Sequence, residues 1–358
     1  MSTNPPVTAA QSHTPFGRVI AIALSMTAIV AAILLAFSWP ALTATPQHIA
    51  IAVAGPEESV SAFEAQLSKQ TDGVFDITAV DNRDAAVTGM QSREYFGAII
   101  LGPKPELLTA SANGTVNQVV KQLEAPLTQA VNAQAQALTS APGQPAPEVQ
   151  LATIDVVPLS EDDPNGTLLT SAFFPLLLGG IIGGVLSGTL IVGSFRRIIG
   201  VLVYAAVGGI VLAGILQGWF GSIQGEFWLN AAAFAMAIAA IAAPMIGFVA
   251  LIGRAGMAVG PVVMMLFANP ISGAQLPSQF LPGAWGPIGQ WFPPGAAATL
   301  VREQSYFPNA DTQFPWLVLT AWVAGGIVLA LIGHFRVGAA PARPAVSEHN
   351  SAEVSTAA

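Results

Sequence analysis

Residues 164–195 read PNGTLLTSAFFPLLLGGIIGGVLSGTLIVGSF, and this stretch contains no charged side chain. A helix needs roughly 20 apolar residues to cross the hydrocarbon core of a bilayer, which is about 30 Å thick. Further charge-free blocks follow at 198–225, 227–253 and 255–301. Long uncharged blocks of this kind predict a chain that crosses a membrane several times.

The composition excludes several classes of protein. Of 358 residues, 53% are hydrophobic and only 9% are charged, whereas a soluble domain carries about 25% charged residues. A net charge of -8 without basic runs argues against a nucleic acid partner. The chain has no cysteine and four scattered histidines, and no catalytic or nucleotide-binding motif is present. We therefore expect no enzyme activity, no cofactor and no metal site in this chain.

Two more apolar runs complete the predicted set of spans. Residues 19–39 follow Arg18 and are too long for the apolar region of a typical signal peptide, so we interpret them as an uncleaved anchor. The final run, 314–335, begins near Trp316 and ends at Arg336, the aromatic and basic pattern of span ends. The sequence thus predicts an α-helical membrane protein with six transmembrane helices, five of them within residues 168–336.

The basic residues of the short loops predict the orientation. If the spans alternate across the membrane, one side receives six of these residues: Arg18, Arg196, Arg197, Arg254, Arg336 and Arg343. The opposite side receives only Arg302. The positive-inside rule then places both termini in the cytoplasm. Residues 1–18 and 337–358 become cytoplasmic tails, the second one disordered because it is polar and contains prolines.

The long segment 43–165 has a different character and is predicted to lie outside the membrane. It contains most of the acidic residues, and stretches with strand-like and helix-like periodicity alternate along it. We predict strands at 49–53, 75–80, 96–101 and 149–157. Helices are predicted at 57–69, 83–93 and 115–138, with a proline-rich linker at 141–147. This pattern indicates a small α/β domain between the first and second transmembrane helices.

Glycines in the second predicted span lie at four-residue spacing. They are Gly179, Gly180, Gly183, Gly184 and Gly188. Such a stripe lets helix backbones approach closely, either within one chain or across the seam of a dimer.

The stretch 269–301 is apolar but contains too many prolines and glycines for one continuous helix. It includes Asn269-Pro270-Ile271-Ser272-Gly273, Leu281-Pro282-Gly283-Ala284-Trp285 and Pro293-Pro294-Gly295, and it is followed by Arg302. Irregular backbone at membrane depth is tolerated only when it is buried in protein or lines a water-filled cavity. We therefore predict a re-entrant or interfacial hairpin here, with Trp285 and Trp291 at headgroup level.

This arrangement resembles the exporter-type permeases of ATP-binding cassette (ABC) transporters and the related phage infection protein family. The resemblance covers residues 19–336 and is strongest in the topology and in the Pro and Gly motif. It implies a permease subunit that pairs with a second permease, often as a homodimer, and with a separate ATPase. It also implies that the hairpin closes the outer end of the transport pathway as an outer gate. The residues of this chain at the matching motif positions are Asn269, Pro270, Gly273, Pro282, Trp285, Pro294 and Arg302.

The resemblance further implies export of a lipid-like, drug-like or polymeric substrate across a bacterial plasma membrane. Arg196, Arg197 and Arg254 are then the candidate ATPase contacts. The loop around Arg196 is short, however, and the first 18 residues are rich in Pro, Thr and Ser rather than helix-forming. This departure favours an alternative, in which an envelope protein of the same fold acts without an ATPase as a receptor, scaffold or secretion accessory.

Overall fold

A computed structural model of the protein describes residues 14–70, 73–138 and 150–338. The predicted tails beyond these limits and the predicted linker at 141–147 lie outside the described residues. The first helix, α1 (Phe16–Thr43), extends past both ends of the predicted span and passes through Pro40. Its apolar side chains are exposed along nearly its whole length, for example Leu34 at 65% and Leu35 at 67%. Such a surface is stable only when lipid or another protein covers it.

The segment after α1 folds around a five-stranded sheet with the order β2-β1-β3-β4-β5. The strands are β1 (Ile49–Ala54), β2 (Phe75–Ala79), β3 (Gly97–Ile100), β4 (Glu106–Thr109) and β5 (Ala152–Asp155). Only the β3/β4 pairing is antiparallel. The helices are α2 (Glu57–Gln70), α3 (Arg83–Gln91), α4 (Thr115–Lys121) and α5 (Glu124–Leu138). We call residues 44–163 the sheet domain.

Two features of the sheet domain differ from the sequence prediction. Strand β4 was not predicted, because a four-residue segment that follows Pro103 and Pro105 has too little periodicity to identify. The single helix predicted over 115–138 is divided into α4 and α5 by a turn at Gln122 and Leu123. Val120, Leu123 and Leu127 all enter the same apolar core, which the turn makes possible.

The remaining long helices pack around one central helix. These helices are α6 (Thr167–Leu190), α7 (Ser194–Ala213, continued by a π-helical turn to Trp219), α8 (Phe227–Ile252) and α12 (Gln313–Gly338). Every residue of α8 from Ala237 to Gly247 is buried. Helix α12 packs closely on α8 through glycines, since a Cβ at Gly326 would clash with the Ala243 carbonyl carbon and one at Gly247 would lie 2.8 Å from the Gly326 carbonyl oxygen.

The chain reverses direction after α8. Gly253 ends the helix with φ of 63°, a conformation that glycine adopts readily, and a single 3-10 turn follows. Helix α9 (Gly256–Pro261) and a π-helical segment, Val262–Ala268, then run back along α8. Gly256 lies against Phe248, and Gly260 lies against Met245.

Five helical stretches are long and apolar enough to cross a membrane: Phe16–Thr43, Thr167–Leu190, Ser194–Trp219, Phe227–Ala268 and Gln313–Arg336. The described chain therefore has the character of a multi-pass membrane protein with a small sheet. The fourth stretch is longer than one span because it contains two antiparallel segments. The first is α8, and the second is α9 with its π-helical continuation. The second segment is shorter than a full span because it ends at Ala268.

Candidate functional site

The predicted hairpin is an irregular segment, 269–292, followed by a regular helix. A 3-10 turn at Ser278–Phe280 and the short helix α10 (Trp285–Gly289) interrupt it. Helix α11 (Pro293–Tyr306) then begins with two prolines, which suit the first turn because they need no helical hydrogen bond there. The predicted limit of the hairpin at 301 therefore falls inside α11, and Pro294 and Arg302 belong to this helix.

A polar network fixes the irregular segment. The Asn269 carbonyl oxygen accepts hydrogen bonds from the amide and the hydroxyl of Ser272, which is 1% exposed. The Gln290 side chain donates to the Ser272 carbonyl at 3.1 Å and accepts from Thr299 at 2.6 Å. Satisfied backbone groups of this kind are what an irregular segment requires in an apolar setting.

The predicted gate residues have separate roles along this segment. Gly273 adopts φ of 76° and borders the cavity described below. The Pro282 carbonyl accepts the Trp285 amide at 3.4 Å. The Trp285 ring stands edge-on to Trp39 of α1, with the ring centroids 6.1 Å apart. Trp285 therefore connects the irregular segment to α1. Pro270, the remaining residue of the irregular segment's motif, is half-buried beside Asn269.

The backbone that leaves α1 pairs with the same segment. The Thr45 amide donates to the Phe280 carbonyl at 3.2 Å, and the Gln47 amide donates to the Gln279 carbonyl at 2.9 Å. The Gln47 side-chain amide also donates to the Leu281 carbonyl. The entrance to the sheet domain is thus bonded directly to the irregular segment.

The strongest link between the sheet domain and the helices is an ion pair. Arg93, which follows α3, contacts Glu303 of α11 through Nη1 and Oε1 at 3.1 Å. The two side chains are only 15% and 12% exposed. The guanidinium also lies over the Phe307 ring, 5.5 Å from its centroid. Arg93 adopts φ of 61°, an uncommon conformation for a residue other than glycine.

Burial dominates the electrostatics around this pair. It raises the pKa of Glu303, and the nearby Arg93 offsets only part of the increase. Burial, together with the positive charge of Arg93, also lowers the pKa of Arg302 to about 10. Arg302 remains charged at neutral pH even so, because its pKa lies well above 7.

Other hydrogen bonds also hold the sheet domain against the helices. We call this contact region, formed by Gln91, Arg93 and Ser160 on one side and by residues 221–222 and 303–309 on the other, the junction. The Asn309 amide donates to the Gln91 carbonyl at 3.3 Å, and the Asn309 side chain donates to Gln91 Oε1 at 3.1 Å. Ser160 donates to the Gly221 carbonyl at 2.5 Å, and the buried Tyr306 hydroxyl donates to the Ser222 carbonyl. The sheet domain is therefore held to both α11 and the turn after α7.

A cavity of about 720 Å³ lies between the sheet domain, the beginning of α6 and α11. We call it the junction cavity. Arg302, Lys121, Asn113, Gly273 and Gln275 are among the residues that line it. Its walls carry two cationic side chains, and no carboxylate is among the described residues that line it.

A second cavity, of about 890 Å³, lies at the opposite end of α6. Arg197, Arg254 and His334 line it together with Gly188. Arg197 donates from Nε to the Ile191 carbonyl at 2.7 Å, and Arg196 is exposed beside it. The structure thus brings the three predicted ATPase-contact arginines to one end of the helices.

The five stripe glycines face other helices of the same chain. A Cβ at Gly180 would lie 2.8 Å from Ile241, and one at Gly184 would lie 2.7 Å from Met245. Gly188 of α6 faces Val249, which also belongs to α8. On the other side, Tyr204 packs on Gly183 and donates its hydroxyl to the Gly179 carbonyl at 2.8 Å.

Sequence reasoning missed Arg93, Glu303 and Asn113 as site residues. Arg93 and Glu303 are far apart in the chain, and neither belongs to a motif, so no local pattern could have paired them. Within the described part of the chain, no group of three or more His, Cys, Asp or Glu side chains could hold a metal ion. The candidate site is therefore the junction itself, together with its cavity.

Comparisons with protein-family models, curated proteins and solved structures give no match to this chain.

Proposed function

We propose that this protein is the membrane-spanning permease subunit of an ATP-driven exporter for a hydrophobic, lipid-like or drug-like substrate. In this proposal the chain crosses a bacterial plasma membrane six times, and α9 with its π-helical continuation forms a short fifth pass. The sheet domain lies outside, and both termini lie in the cytoplasm. Energy comes from a separate ATPase, because the predicted spans contain no Asp, Glu, Lys or Arg that could couple a proton or ion gradient, and their one histidine, His334, lies at the end of the last span beside Arg336.

The observation that carries the proposal is the attachment of the irregular segment 269–292 to both the sheet domain and the helices. A segment that closes the outer end of a transport pathway must respond to movements of the helices. Here it is bonded to residues 45–47 on one side and joined directly to α11 on the other. Movement of α11 would displace the segment and the sheet domain together.

The packing of α8 supports a pathway outside the single subunit. Residues 237–247 fill the centre of the helices without interruption, and the two large cavities lie at opposite ends of α6. A substrate would therefore pass along the surface of the subunit. A second permease copy could enclose that surface, and the exposed apolar side of α1 is available to lipid or to this copy.

One observation favours the alternative function. Only residues 191–193 separate α6 from α7, and one 3-10 turn separates α8 from α9. Neither connection contains a helix that could transmit force from an ATPase. An envelope receptor, scaffold or secretion accessory of the same fold would not need such a helix.

Co-purification from the native membrane distinguishes the two functions. The tagged full-length chain is solubilised gently, and the proteins recovered in near-equal amount are identified. We expect an ATP-binding cassette ATPase whose hydrolysis rate rises when it is reconstituted with this chain. Repeated recovery of intact chain without an ATPase would overturn the exporter proposal and favour the alternative.

Charge variants at the cytoplasmic end sharpen the test. The double variant Arg196→Gln/Arg254→Gln should lose the ATPase, because it removes two exposed cations from that end. Lys104→Gln, an exposed site in the sheet domain, is the matched control and should retain it.

A further inference from the structure

The junction cavity contains a cation without a protein partner. Arg302 lines the cavity and makes no hydrogen bond or ion pair within the described part of the chain. A guanidinium offers five donors in a fixed geometry that matches carboxylate and phosphate oxygens. A partly buried guanidinium without an anion is unfavourable, so this position is suited to an anion from outside the chain.

A polar atom beside the cavity is also unpaired. Asn113 is among the residues that line the cavity and is 4% exposed, and its buried Nδ2 has no hydrogen-bond partner in the described structure. Its Oδ1 accepts a hydrogen bond from Arg93 Nε at 3.4 Å, which directs the amide nitrogen away from that arginine.

Two carboxylates lie near the cavity but do not line it. Glu303 pairs with Arg93 through Oε1, while its Oε2 is buried without a hydrogen-bond partner. Asp163 caps α6 by accepting the Thr167 amide at 3.0 Å and the Leu168 amide at 2.9 Å. Neither carboxylate lines the cavity, whereas Lys121 does. The cavity therefore presents two positive charges and no carboxylate among the described residues that line it.

We propose that the junction cavity binds the phosphate group of an anionic ligand, with Arg302 as its main contact and with Lys121 as a supporting contact. The phosphate could belong to a lipid headgroup or to a soluble phosphate compound. The cavity borders residues 164–171, where α6 begins, and this is the level at which a bilayer's headgroups would lie. This binding site goes beyond the proposed export function and does not depend on it.

Binding measurements on the purified full-length chain in detergent test this inference directly. The probes are dioctanoyl phosphatidic acid as a lipid phosphate, inorganic phosphate as a soluble one, and dioctanoyl phosphatidylcholine as a zwitterionic control. We expect phosphatidic acid or inorganic phosphate to bind more tightly than the zwitterion. Added salt should weaken this binding, because the attraction is electrostatic. Binding of phosphatidic acid alone would identify the lipid source, and similar binding of inorganic phosphate would identify the soluble one.

Variants decide whether the binding occurs in this cavity. Arg302→Gln should weaken it about tenfold, and Lys121→Gln, at an exposed position, should weaken it about threefold. Gln275→Glu adds a negative charge at an exposed cavity position and should also weaken it about tenfold, which keeps the test decisive if Arg302→Gln fails to fold. Arg254→Gln and Lys104→Gln remove charges elsewhere and should have no effect.

Two results would overturn the proposal. One is the absence of binding for both phosphate probes. The other is binding that Gln275→Glu and Lys121→Gln leave unchanged in folded protein. Neither result requires an ATPase or a transport assay, so failure here is distinct from failure of the proposed export function.

Discussion

The two ends of the helical part differ in how their charged residues are paired. At the junction with the sheet domain, Arg93 is committed to Glu303 and is covered by Phe307, while Arg302 is left without a protein partner among the described residues. At the opposite end, Arg196 and Arg254 make no hydrogen bond or ion pair with any described residue, and both are exposed. The junction therefore contains a buried ion pair that stabilises the chain, whereas the opposite end presents exposed cations.

This difference indicates where each kind of substitution should have its effect. Substitutions at the junction should change stability, because buried ion pairs leave an uncompensated charge when one member is removed. Substitutions of the exposed Arg196 and Arg254 at the opposite end should change association with a partner and leave stability unaltered.

Arg93→Gln should destabilise the protein by about 3–5 kcal/mol, because it leaves the Glu303 carboxylate buried without its cation. The loss should become smaller as the pH falls through the raised pKa of Glu303, since protonation removes the unpaired charge. Denaturant unfolding in detergent at several pH values measures both effects. The double variant Arg93→Gln/Glu303→Gln should recover most of the loss. Arg83→Gln breaks the more exposed Arg83–Glu106 pair and should cost less than about 1 kcal/mol.

Gly184→Val should destabilise the packing of α6 on α8 by about 1–3 kcal/mol, because a Cβ there would lie 2.7 Å from Met245. Gly325→Val, in α12, introduces the same side chain where no atom lies within 4 Å and is the matched control. The measurement is the unfolding midpoint of each variant in the same detergent. Equal midpoints for the two variants would contradict the close approach of α6 to α8.

Arg196→Gln/Arg254→Gln should leave the unfolding midpoint unchanged, because both side chains are exposed and unpaired. The same unfolding assay measures this, with Arg93→Gln as the reference for a destabilised protein. A loss of stability comparable to that of Arg93→Gln would show that the two ends do not differ in the way described.

The sequence predicted the elements with a strong pattern and missed the contacts between them. The apolar blocks and the alternating strands at 49–53 and 96–101 reappear as α6, α7, α8, α12, β1 and β3. The helices are recognisable from the length of their uncharged blocks, and the strands from their short apolar runs. Strand β4 is too short for such a signal, and the turn between α4 and α5 results from core packing.

The site was predictable only in part. Arg302 was identified from its position after a proline and glycine motif, yet its lack of a partner became visible only in three dimensions. Arg93 and Glu303 lie 210 residues apart in the chain. A pairing over that distance has no local signature, and only the tertiary structure brings it together.

The proposed topology requires that the sheet domain and segment 269–292 face one compartment. The two short helical connections, 191–193 and 253–255, must then face the other. The chain contains no cysteine, so single-cysteine variants can be labelled without background. Suitable exposed positions are Lys104→Cys, Ala284→Cys, Val192→Cys and Arg254→Cys. A membrane-impermeant maleimide is applied to intact cells and to permeabilised cells.

We predict that Lys104→Cys and Ala284→Cys are labelled in intact cells, whereas Val192→Cys and Arg254→Cys are labelled only after permeabilisation. Labelling of Arg254→Cys in intact cells, or protection of Ala284→Cys, would contradict the six-pass topology. Either result would also remove the physical basis of an outer junction and a cytoplasmic partner-binding end.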